Sequence, residues 1–380
     1  MLNLCNLEDK PILQTAPELR FARYRRAIDK ALKRVRSGQS YILGPQVETF
    51  EQAFAAYIGT KHCIGVNSGT DAIALALRAI GIGPGDEVIT TALTAAGTAH
   101  AILQTGATLR FSDIDPRTRC LDPSAVAASL TPCTAAIVPV HLFGYPAPMT
   151  ELCAVADRHG LVIVEDCAQA HGARIGSRRL GTFGIASAFS FYPTKNLGGL
   201  GDGGAVVTDD AGIAARVRAL RCYGWTGPDK VSSELAFNSR LDEIQASILL
   251  ALLPHLDSGN DERRAVAARY RDGLADTGAE LPLHDEGCVY HQFAIAFDGR
   301  DGLARILQEE YRIHTAVHYW PALHRQPAFC EAREAKLAVT ERTAARVLSL
   351  PIQPELIEDK IDRIIDAVRT GLARSGPDRS

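Results

Sequence analysis

The sequence lacks the features that mark membrane, secreted and nucleic-acid-binding proteins. Its 380 residues carry a formal net charge of only −3, which argues against a broad basic surface for nucleic acid or lipid. No apolar run approaches the roughly 18 residues that a membrane span needs. The first residues show neither the basic segment nor the apolar core of a signal peptide. We therefore expect a soluble, intracellular protein that binds neither membranes nor nucleic acid.

Cysteine pairs are also absent. The nine cysteines stand singly along the chain, with no C-x-x-C pair and no His/Cys spacing typical of a metal site. Isolated thiols, odd in number, favour reduced cysteines in the cytoplasm over a disulfide framework. Cys167, which directly follows Asp166, shows no sign of activation and is interpreted as a small buried filler. No metal site is predicted.

The composition is that of an ordinary globular protein, 46% hydrophobic and 22% charged. The chain is too long for one simple core, so we predict a large domain over 1–255 and a small one over 256–380. Strand-like runs alternate with helical stretches through the first domain, which predicts an α/β fold with a mostly parallel sheet flanked by helices. The pattern changes near residue 281 and predicts a smaller C-terminal α+β domain. Four local expectations are an extended arm over 1–18, one helix over 21–36, a strand over 314–319 and a disordered tail over 375–380.

An acid and a lysine follow two strand-like runs. The run 161–164 stops at Glu165 and Asp166, and the run 188–192 stops just before Lys195. Strand ends are where α/β sheets bind their ligands. A carboxylate for the pyridinium nitrogen and a lysine for the Schiff base are what a pyridoxal phosphate enzyme requires. The alternatives are a solvated surface lysine and a carboxylate that caps the next turn.

A polar turn with the character of an anion site lies earlier in the chain. Residues 67–71 separate a short strand over 62–66 from a helix that begins near residue 72. Backbone N–H groups at a helix N-terminus favour phosphate, so Gly69, Thr70 and Asp71 are candidate phosphate ligands. When the turn is considered alone, ordinary helix capping by Ser, Thr and Asp is the better explanation of the same residues.

Six motifs in order carry a resemblance to a known family. They are Asn67-Ser68-Gly69-Thr70, EDCAQAHG over 165–172, SFYPTKNL over 190–197, GDGG over 201–204, NSRLDEIQ over 238–245 and Val317-His318-Tyr319. Together they resemble the sugar aminotransferases of the DegT/DnrJ/EryC1/StrS family over about residues 38–372. The resemblance implies the PLP-dependent transferase type I fold of aspartate aminotransferase. It also implies the cofactor pyridoxal 5′-phosphate and a homodimer with shared active sites.

The resemblance assigns roles to individual residues. Lys195 becomes the Schiff-base lysine that moves the proton, and Asp166 the partner of the pyridine nitrogen, with Glu165 then structural. Gln169 resembles the glutamine that lies against the cofactor ring, and a buried structural amide is its alternative. Ser190 resembles a serine that reaches the phosphate, although a plain strand serine is equally compatible.

The resemblance also assigns a role in the neighbouring subunit's site to one residue and a role in binding the amino donor to another. Asn238 matches the asparagine that, in relatives, reaches the phosphate from the neighbouring subunit. Arg240 is expected to hold the donor's carboxylate, since a guanidinium binds carboxylate in bidentate fashion. An ion pair with Asp242 or Glu243 is the alternative for Arg240. The candidate substrate contacts, each of which packing or surface exposure would also explain, are His171, Tyr192, His318, Tyr319 and His324.

The sequence departs from the family pattern at two positions. Ala95 stands where many members carry an aromatic residue stacked on the cofactor ring, so no stacking residue is assigned. Trp320 stands where relatives often have proline after the tyrosine, and is expected to reshape the substrate pocket.

The predicted reaction is a two-stage amino transfer with ping-pong kinetics. By resemblance, L-glutamate donates the amine and a nucleotide-linked keto-sugar accepts it. The turn after Lys195 looks more like members that aminate C3, which points to a dTDP-linked 3-keto-6-deoxyhexose. A 4-keto-sugar or a cyclitol ketone is the alternative acceptor, and a sensor or accessory protein without turnover is the alternative class. A dehydratase is disfavoured because that branch usually has histidine in place of Lys195, and a purely structural protein has no positive feature in its support.

Overall fold

A computed structural model describes residues 11–332 and 336–374. The strands are β1 (His62–Val66), β2 (Glu87–Thr91), β3 (Thr108–Ser112), β4 (Thr134–Ile137), β5 (Val162–Asp166), β6 (Arg174–Ile175), β7 (Arg178–Arg179), β8 (Ala186–Ser190), β9 (Gly204–Thr208), β10 (Phe293–Ala296) and β11 (Val347–Leu350). The helices are α1 (Pro17–Arg23), α2 (Arg25–Arg36), α3 (Pro45–Ile58), α4 (Gly69–Ala79), α5 (Ala96–Leu103), α6 (Pro123–Ser129), α7 (Met149–His159), α8 (Ala211–Leu220), α9 (Glu243–Leu252), α10 (Leu256–Leu274), α11 (Arg300–Tyr311), α12 (Ala338–Arg346) and α13 (Glu358–Arg374). None of the helices in these ranges is long and apolar enough to cross a lipid bilayer.

A seven-stranded sheet organises the first part of the chain, in the order β1-β9-β8-β5-β4-β2-β3. The neighbours from β8 to β3 are parallel, whereas β9 runs antiparallel to both β1 and β8. The expected mostly parallel sheet is therefore confirmed. Because parallel strands end at the same edge, β5 and β8 bring the residues that follow them to one side of the sheet.

Alternating side chains along the strands build two cores, one on each sheet face. Ile163 and Phe189 belong to one cluster with the helix residues Phe50 and Phe54. Val164 belongs to the other, with α4, α5 and α8 packed over it. Both faces are thus covered, which explains why these strands are almost wholly buried.

Local sequence signals explain where several helices begin and end. Asp122 and Asp210 accept hydrogen bonds from the first turns of α6 and α8 and so cap them. Pro45 opens α3, where its missing N–H is not needed, and Gly59 ends it in the left-handed conformation at φ 94°.

A third core is built from residues 266–372 together with Ile12. It surrounds the antiparallel pair β10–β11 with helices α10, α11 and α13. The expected α+β region is therefore present. The boundary at 255/256 remains a prediction, and the long helix α10 begins there.

Three sequence-level expectations are corrected. The single helix over 21–36 is two helices, because the backbone leaves the helical region at Tyr24, whose ring stacks on His255 at 4.3 Å. The arm over 1–18 is helical from Pro17 onward, and its first ten residues lie outside the described ranges. The segment 314–319 is no strand, since Ala316 alone pairs with Ser349. The tail 375–380 lies outside the described residues, and the hairpin β6–β7 was not predicted.

Candidate active site

Lys195 and Asp166 follow two adjacent parallel strands. Asp166 is the last residue of β5 and pairs in register with Ala188 of β8, seven positions before Lys195. Lys195 is half-buried, and burial lowers the pKa of its ammonium group to about 8, against the opposing effect of the Asp166 carboxylate. The structure therefore brings together the acid and the lysine that the sequence singled out.

Asp166 is oriented by two hydrogen-bond donors from elsewhere in the chain. The Thr98 hydroxyl donates to its Oδ2 at 2.7 Å, and the Ala168 N–H donates to its Oδ1 at 3.0 Å. The carboxylate is buried at 4% exposure, so these bonds fix its position in a region of low dielectric constant. Thr94 continues the chain of hydroxyls, with its Oγ1 at 3.2 Å from that of Thr98.

The start of α4 forms a cradle with Ser190. A Cβ on Gly69 would lie 2.7 Å from the Ser190 Cβ, and one on Gly97 would lie 2.5 Å from Oγ1 of Thr70. These glycines let the start of α4, the end of β8 and the start of α5 approach one another closely. Gly69 and Thr70 lie in the first turn of α4, where backbone N–H groups have no acceptor within the helix. These two N–H groups can therefore donate to an anion.

Asp71 does not fit the expectation placed on it. Its N–H donates to Oγ of Ser68 at 3.1 Å, so this amide caps its own helix and is not free for a phosphate. Its carboxylate accepts from Oγ of Ser239 at 2.6 Å, and Ser239 Oγ accepts from the Asn67 N–H. Asp71 therefore ties the turn before α4 to the segment that contains Asn238.

Gln169 and Tyr319 join the two parts of the site. The Gln169 side chain accepts from the Phe143 N–H at 2.6 Å and donates to the Tyr319 hydroxyl at 2.9 Å. Burial raises the pKa of Tyr319 to about 12, and the Asp166 carboxylate acts in the same direction. The buried glutamine thus holds the tyrosine of the 317–319 motif next to the acid.

His318 and His291 surround Lys195 as neutral imidazoles. Burial lowers the pKa of His318 to about 4, and the charge of Lys195 adds to the effect. The same causes bring the pKa of His291 well below its usual value. His318 Nδ1 lies 3.0 Å from the Ser349 hydroxyl, and His291 Nδ1 lies 3.2 Å from Oδ1 of Asn196. Neither histidine therefore adds a positive charge beside Lys195 at neutral pH.

Two candidate substrate contacts are corrected. His171 is fully buried between the Phe189 and Phe191 rings, at centroid distances of 5.5 and 5.8 Å. His324 is also fully buried, and its Nε2 lies 2.8 Å from Oε1 of Glu341. Neither side chain has surface with which to touch a substrate, since packing and not a pocket determines both positions.

Three other candidates lie in less enclosed positions. Tyr192 is 51% exposed and Asn238 is also exposed. The Arg240 guanidinium lies 5.8 Å from the centre of the Tyr223 ring. Across the described ranges Arg240 makes no ion pair, because Glu243 instead accepts from the N–H groups that open α3. The expected alternative, an ion pair of Arg240 with Asp242 or Glu243, is therefore wrong.

Glu165 supports the site from within the core. Its fully buried carboxylate accepts from the N–H groups of Gly181, Phe183 and Gly184, at 3.0, 2.7 and 2.9 Å, and also contacts Ser187 and His141. Burial acts to raise the pKa of Glu165, but His141 and the loop amides outweigh it and lower the pKa. This accords with the structural role expected for Glu165. Cys167 is fully buried with a pKa raised by burial, as expected of a filler.

The sequence did not reveal residues that matter because their side chains contact the site from distant parts of the chain. Thr98 lies in a stretch of small residues and gives no signal that it binds Asp166. Arg20 precedes a helix rich in Lys and Arg that reads as a solvated face, yet its side chain lies under the Lys195 loop. Ala95, in the expected aromatic position, is half-buried and precedes α5.

Comparison with known proteins defines the class. The sequence profile of the DegT/DnrJ/EryC1/StrS aminotransferase family matches residues 23–369. A dTDP-3-amino-3,4,6-trideoxy-alpha-D-glucose transaminase of Streptomyces venezuelae is 49% identical over 347 residues, which cover 90% of this chain and 91% of the relative. The crystal structure of S. venezuelae DesV in complex with a ketimine intermediate superposes with a TM-score of 0.91 at 46% identity, covering 96% of this chain and 98% of that one. The structure of NtdA from Bacillus subtilis with bound cofactor PMP gives a TM-score of 0.87 at 31% identity, with 92% and 82% of the two chains covered.

The fold is therefore that of the PLP-dependent transferases of type I, and the protein is an aminotransferase. The chain belongs to the DegT/DnrJ/EryC1/StrS family, and its cofactor is pyridoxal 5′-phosphate. The residues present fit this group. The close approach of Gly69 to Ser190 puts helix-start N–H groups beside a hydroxyl, which are donors suited to a phosphate, and the buried Asp166 and the low-pKa Lys195 lie at the adjoining strand ends.

Proposed function

We propose that this enzyme transfers an amino group from L-glutamate to a dTDP-linked 3-keto-6-deoxyhexose. The observation that carries the proposal is that Asp166 and a lysine whose pKa is lowered to about 8 follow two adjacent parallel strands, in a chain 49% identical to a transaminase of a dTDP-3-amino sugar. Glutamate would leave as 2-oxoglutarate, and the sugar carbonyl would become an amine.

Each residue has a defined part in the proposed mechanism. Pyridoxal phosphate, when bound, supplies the carbonyl that accepts the donor's amine and a ring that withdraws electrons from the reacting carbon. Lys195, in its neutral form, takes the proton from the donor carbon and returns one to the acceptor carbon. Asp166 would keep the cofactor's ring nitrogen protonated, and the Thr98 hydroxyl orients Asp166 for this role. Gln169 positions Tyr319 and would contact the cofactor ring once it is bound.

The remaining residues bind the ends of the reactants. Gly69, Thr70 and Ser190 bind the phosphate through backbone and hydroxyl groups. Arg240, which has no carboxylate partner within the ranges the structure describes, binds the carboxylate of the donor. The substrate contacts that keep exposed surface are Tyr192, His318 and Tyr319.

The proposal includes a homodimer in which Asn238 completes the partner's phosphate site. The exposure of Asn238 supports this role, because its neighbour Ser239 is bonded inward to Asp71 while Asn238 itself faces outward. We also propose a cytoplasmic location. It is supported by the free thiols of the described cysteines, which suit a reducing compartment.

Product analysis tests the acceptor directly. Purified enzyme is incubated with L-glutamate and matched 3-keto and 4-keto sugars linked to dTDP and to other nucleotides, and with a cyclitol ketone. Mass spectrometry then identifies the aminated product. We expect amination of the dTDP-linked 3-keto sugar with the highest kcat/KM. Amination of a 4-keto sugar or cyclitol alone would move the proposal to that acceptor. An absence of amine in every product, with no spectral change on Lys195→Ala, would favour a sensor or accessory protein.

A further inference from the structure

The backbone of the loop that carries Lys195 is hydrogen-bonded by one side chain, that of Arg20. The Arg20 guanidinium donates to four backbone carbonyls: Nη1 to Lys195 O at 2.6 Å and Asn196 O at 3.2 Å, and Nη2 to Pro193 O at 2.5 Å and Gly198 O at 3.4 Å. All of these acceptors belong to the turn between β8 and β9. A planar fork of N–H donors can serve several converging carbonyls at once, which an ammonium group cannot do in one geometry.

The loop is shaped to receive this fork. A Cβ on Gly198 would lie 2.7 Å from Nη2 of Arg20 and 2.6 Å from the Pro193 carbonyl oxygen, so only a glycine leaves room there. Burial lowers the pKa of Arg20 to about 10, with Glu355 and Tyr24 opposing. Over residues 11–332 and 336–374 Arg20 has no ion pair, so its hydrogen bonds go to the loop carbonyls.

Arg20 is itself held on a fixed base. It lies on α1, and the chain just before α1 is bound to the third core. The Ile12 N–H donates to the Arg312 carbonyl, the His314 N–H donates to the Ile12 carbonyl, and the Gln14 side chain donates to that of Gln292. The guanidinium is therefore not a mobile surface group that happens to reach the loop.

We propose that Arg20 is a positioning residue for the reaction, one that sets the backbone from which Lys195 reaches the reacting carbon. This inference rests on the proposed function for Lys195. The lysine amine stands at the end of a flexible four-carbon chain, so the direction of that chain depends on a rigid backbone at its root. Small misplacements of a reacting group cost large factors in rate, which gives a remote brace a catalytic consequence.

The space around Arg20 makes the proposal open to chemical rescue. Arg20, Arg263, His291 and Gln353 line one cleft that opens to solvent. Within it, Nε of Arg20 and Oε1 of Gln353 have no hydrogen-bond partner among the residues that the structure describes. A guanidinium ion added from solution can therefore reach the position that a truncated Arg20 leaves empty.

The experiment compares Arg20→Ala and Arg20→Lys with the control Arg23→Ala. Arg23 lies on the same helix as Arg20, and its replacement removes an ion pair with Glu262 of α10. Hydrogen exchange of loop peptides is measured on the full chain with and without pyridoxal phosphate. We expect both Arg20 variants to exchange at least about tenfold faster in the loop, because local opening costs less once the brace is gone. We expect kcat to fall on the order of 100-fold, with KM for both substrates within about twofold. Arg23→Ala should change none of these.

Rescue distinguishes a positioning role from a loss of stability. Millimolar guanidinium, far below denaturing concentrations, should restore much of the kcat of Arg20→Ala but not of Arg20→Lys, whose side chain fills the position. Methylammonium at equal concentration should restore neither. Unchanged loop exchange and kcat in Arg20→Ala, or equal effects of the two ions, would overturn the proposal. If no acceptor is aminated even by the wild type, the proposed function fails, while the exchange measurement still decides whether Arg20 holds the loop.

Discussion

The Thr98 hydroxyl donates a hydrogen bond of 2.7 Å to Oδ2 of Asp166, and so a residue of α5 orients the carboxylate at the end of β5. The bond crosses between two elements that are far apart in the sequence. It gives the acid of the site a fixed direction, which the strand end alone would not provide.

Removing this hydroxyl should weaken catalysis and leave the fold intact. Thr98→Val keeps the shape of the side chain but removes the donor. Since hydrogen bonds to charged groups contribute about 1.5–3 kcal/mol, kcat/KM should fall by roughly 10- to 100-fold. Thr94→Val is the matched control, because Thr94 contacts Thr98 but not Asp166. Steady-state kinetics of both variants check this, and equal losses in the two would contradict it.

The amine of Lys195 should titrate near pH 8. Because burial lowers its pKa to about 8, the neutral, reactive form should dominate above that pH. Acetylation of the cofactor-free protein in short pulses, followed by peptide mass spectrometry, should show a midpoint there. Asp166 raises this pKa, so Asp166→Asn should shift the midpoint to lower pH. Exposed Lys30 serves as the internal control, and its labelling should be the same in both proteins.

Glu165→Gln should be among the most destabilising conservative substitutions in this chain. The buried carboxylate accepts hydrogen bonds from three backbone N–H groups. In the glutamine variant the side-chain NH2 would face at least one of these N–H donors, with no acceptor between them. Breaking a buried charged network costs about 3–5 kcal/mol, whereas exposed Glu48→Gln should stay within about 0.5 kcal/mol. Urea unfolding at neutral pH measures both. A small change for Glu165→Gln would show that the network contributes little.

The same carboxylate makes stability depend on acidity. The pKa of Glu165 is lowered in the folded state from a reference value of 4.5. Its stabilisation is therefore complete above pH 4.5 and is lost as the pH falls through the lower folded-state pKa. Unfolding free energies measured from pH 7 downward should fall less steeply for Glu165→Gln than for the wild type. Parallel curves would contradict the assignment.

Mixed dimers test whether Asn238 serves the partner's site. A dimer of one Lys195→Ala and one Asn238→Ala subunit would contain one site with both changes and one with neither. Random mixing should then restore about a quarter of the wild-type sites. Activity is measured at a cofactor concentration that does not saturate Asn238→Ala. No recovery after confirmed subunit exchange would place Asn238 in its own subunit's site.

The strand-end chemistry could be predicted because it is written in contiguous sequence. Apolar runs that stop at Asp166 and just before Lys195 mark strands and their ends, and the sheet brings those ends together. The polar turn before α4 was visible for the same reason. Its detail was not, since only the structure reveals that the Asp71 amide is taken by Ser68.

The features that were missed depend on contacts between distant segments. Nothing near His324 in the sequence indicates that its side chain is fully buried and lies next to the Glu341 carboxylate. The residues 314–319 suggest a strand by composition. However, the His318 side chain contacts Ser349 and the Tyr319 side chain contacts Gln169. The backbone of this segment forms a single β-bridge, between Ala316 and Ser349. Tyr24 interrupts a helical pattern at the place where its ring stacks on His255, a tertiary contact that local propensity does not encode.

The hydrogen bonds of Arg20 to the Lys195 loop also bear on where the chain can be truncated. The family profile begins at residue 23, which is the last residue of α1. A version trimmed to residues 23–369 would retain every motif by which the family is recognised. It would nevertheless lose Arg20 and the bridge from Ile12 to Ile313. The stretch that matches the family profile therefore omits a side chain that we propose fixes the backbone at Lys195.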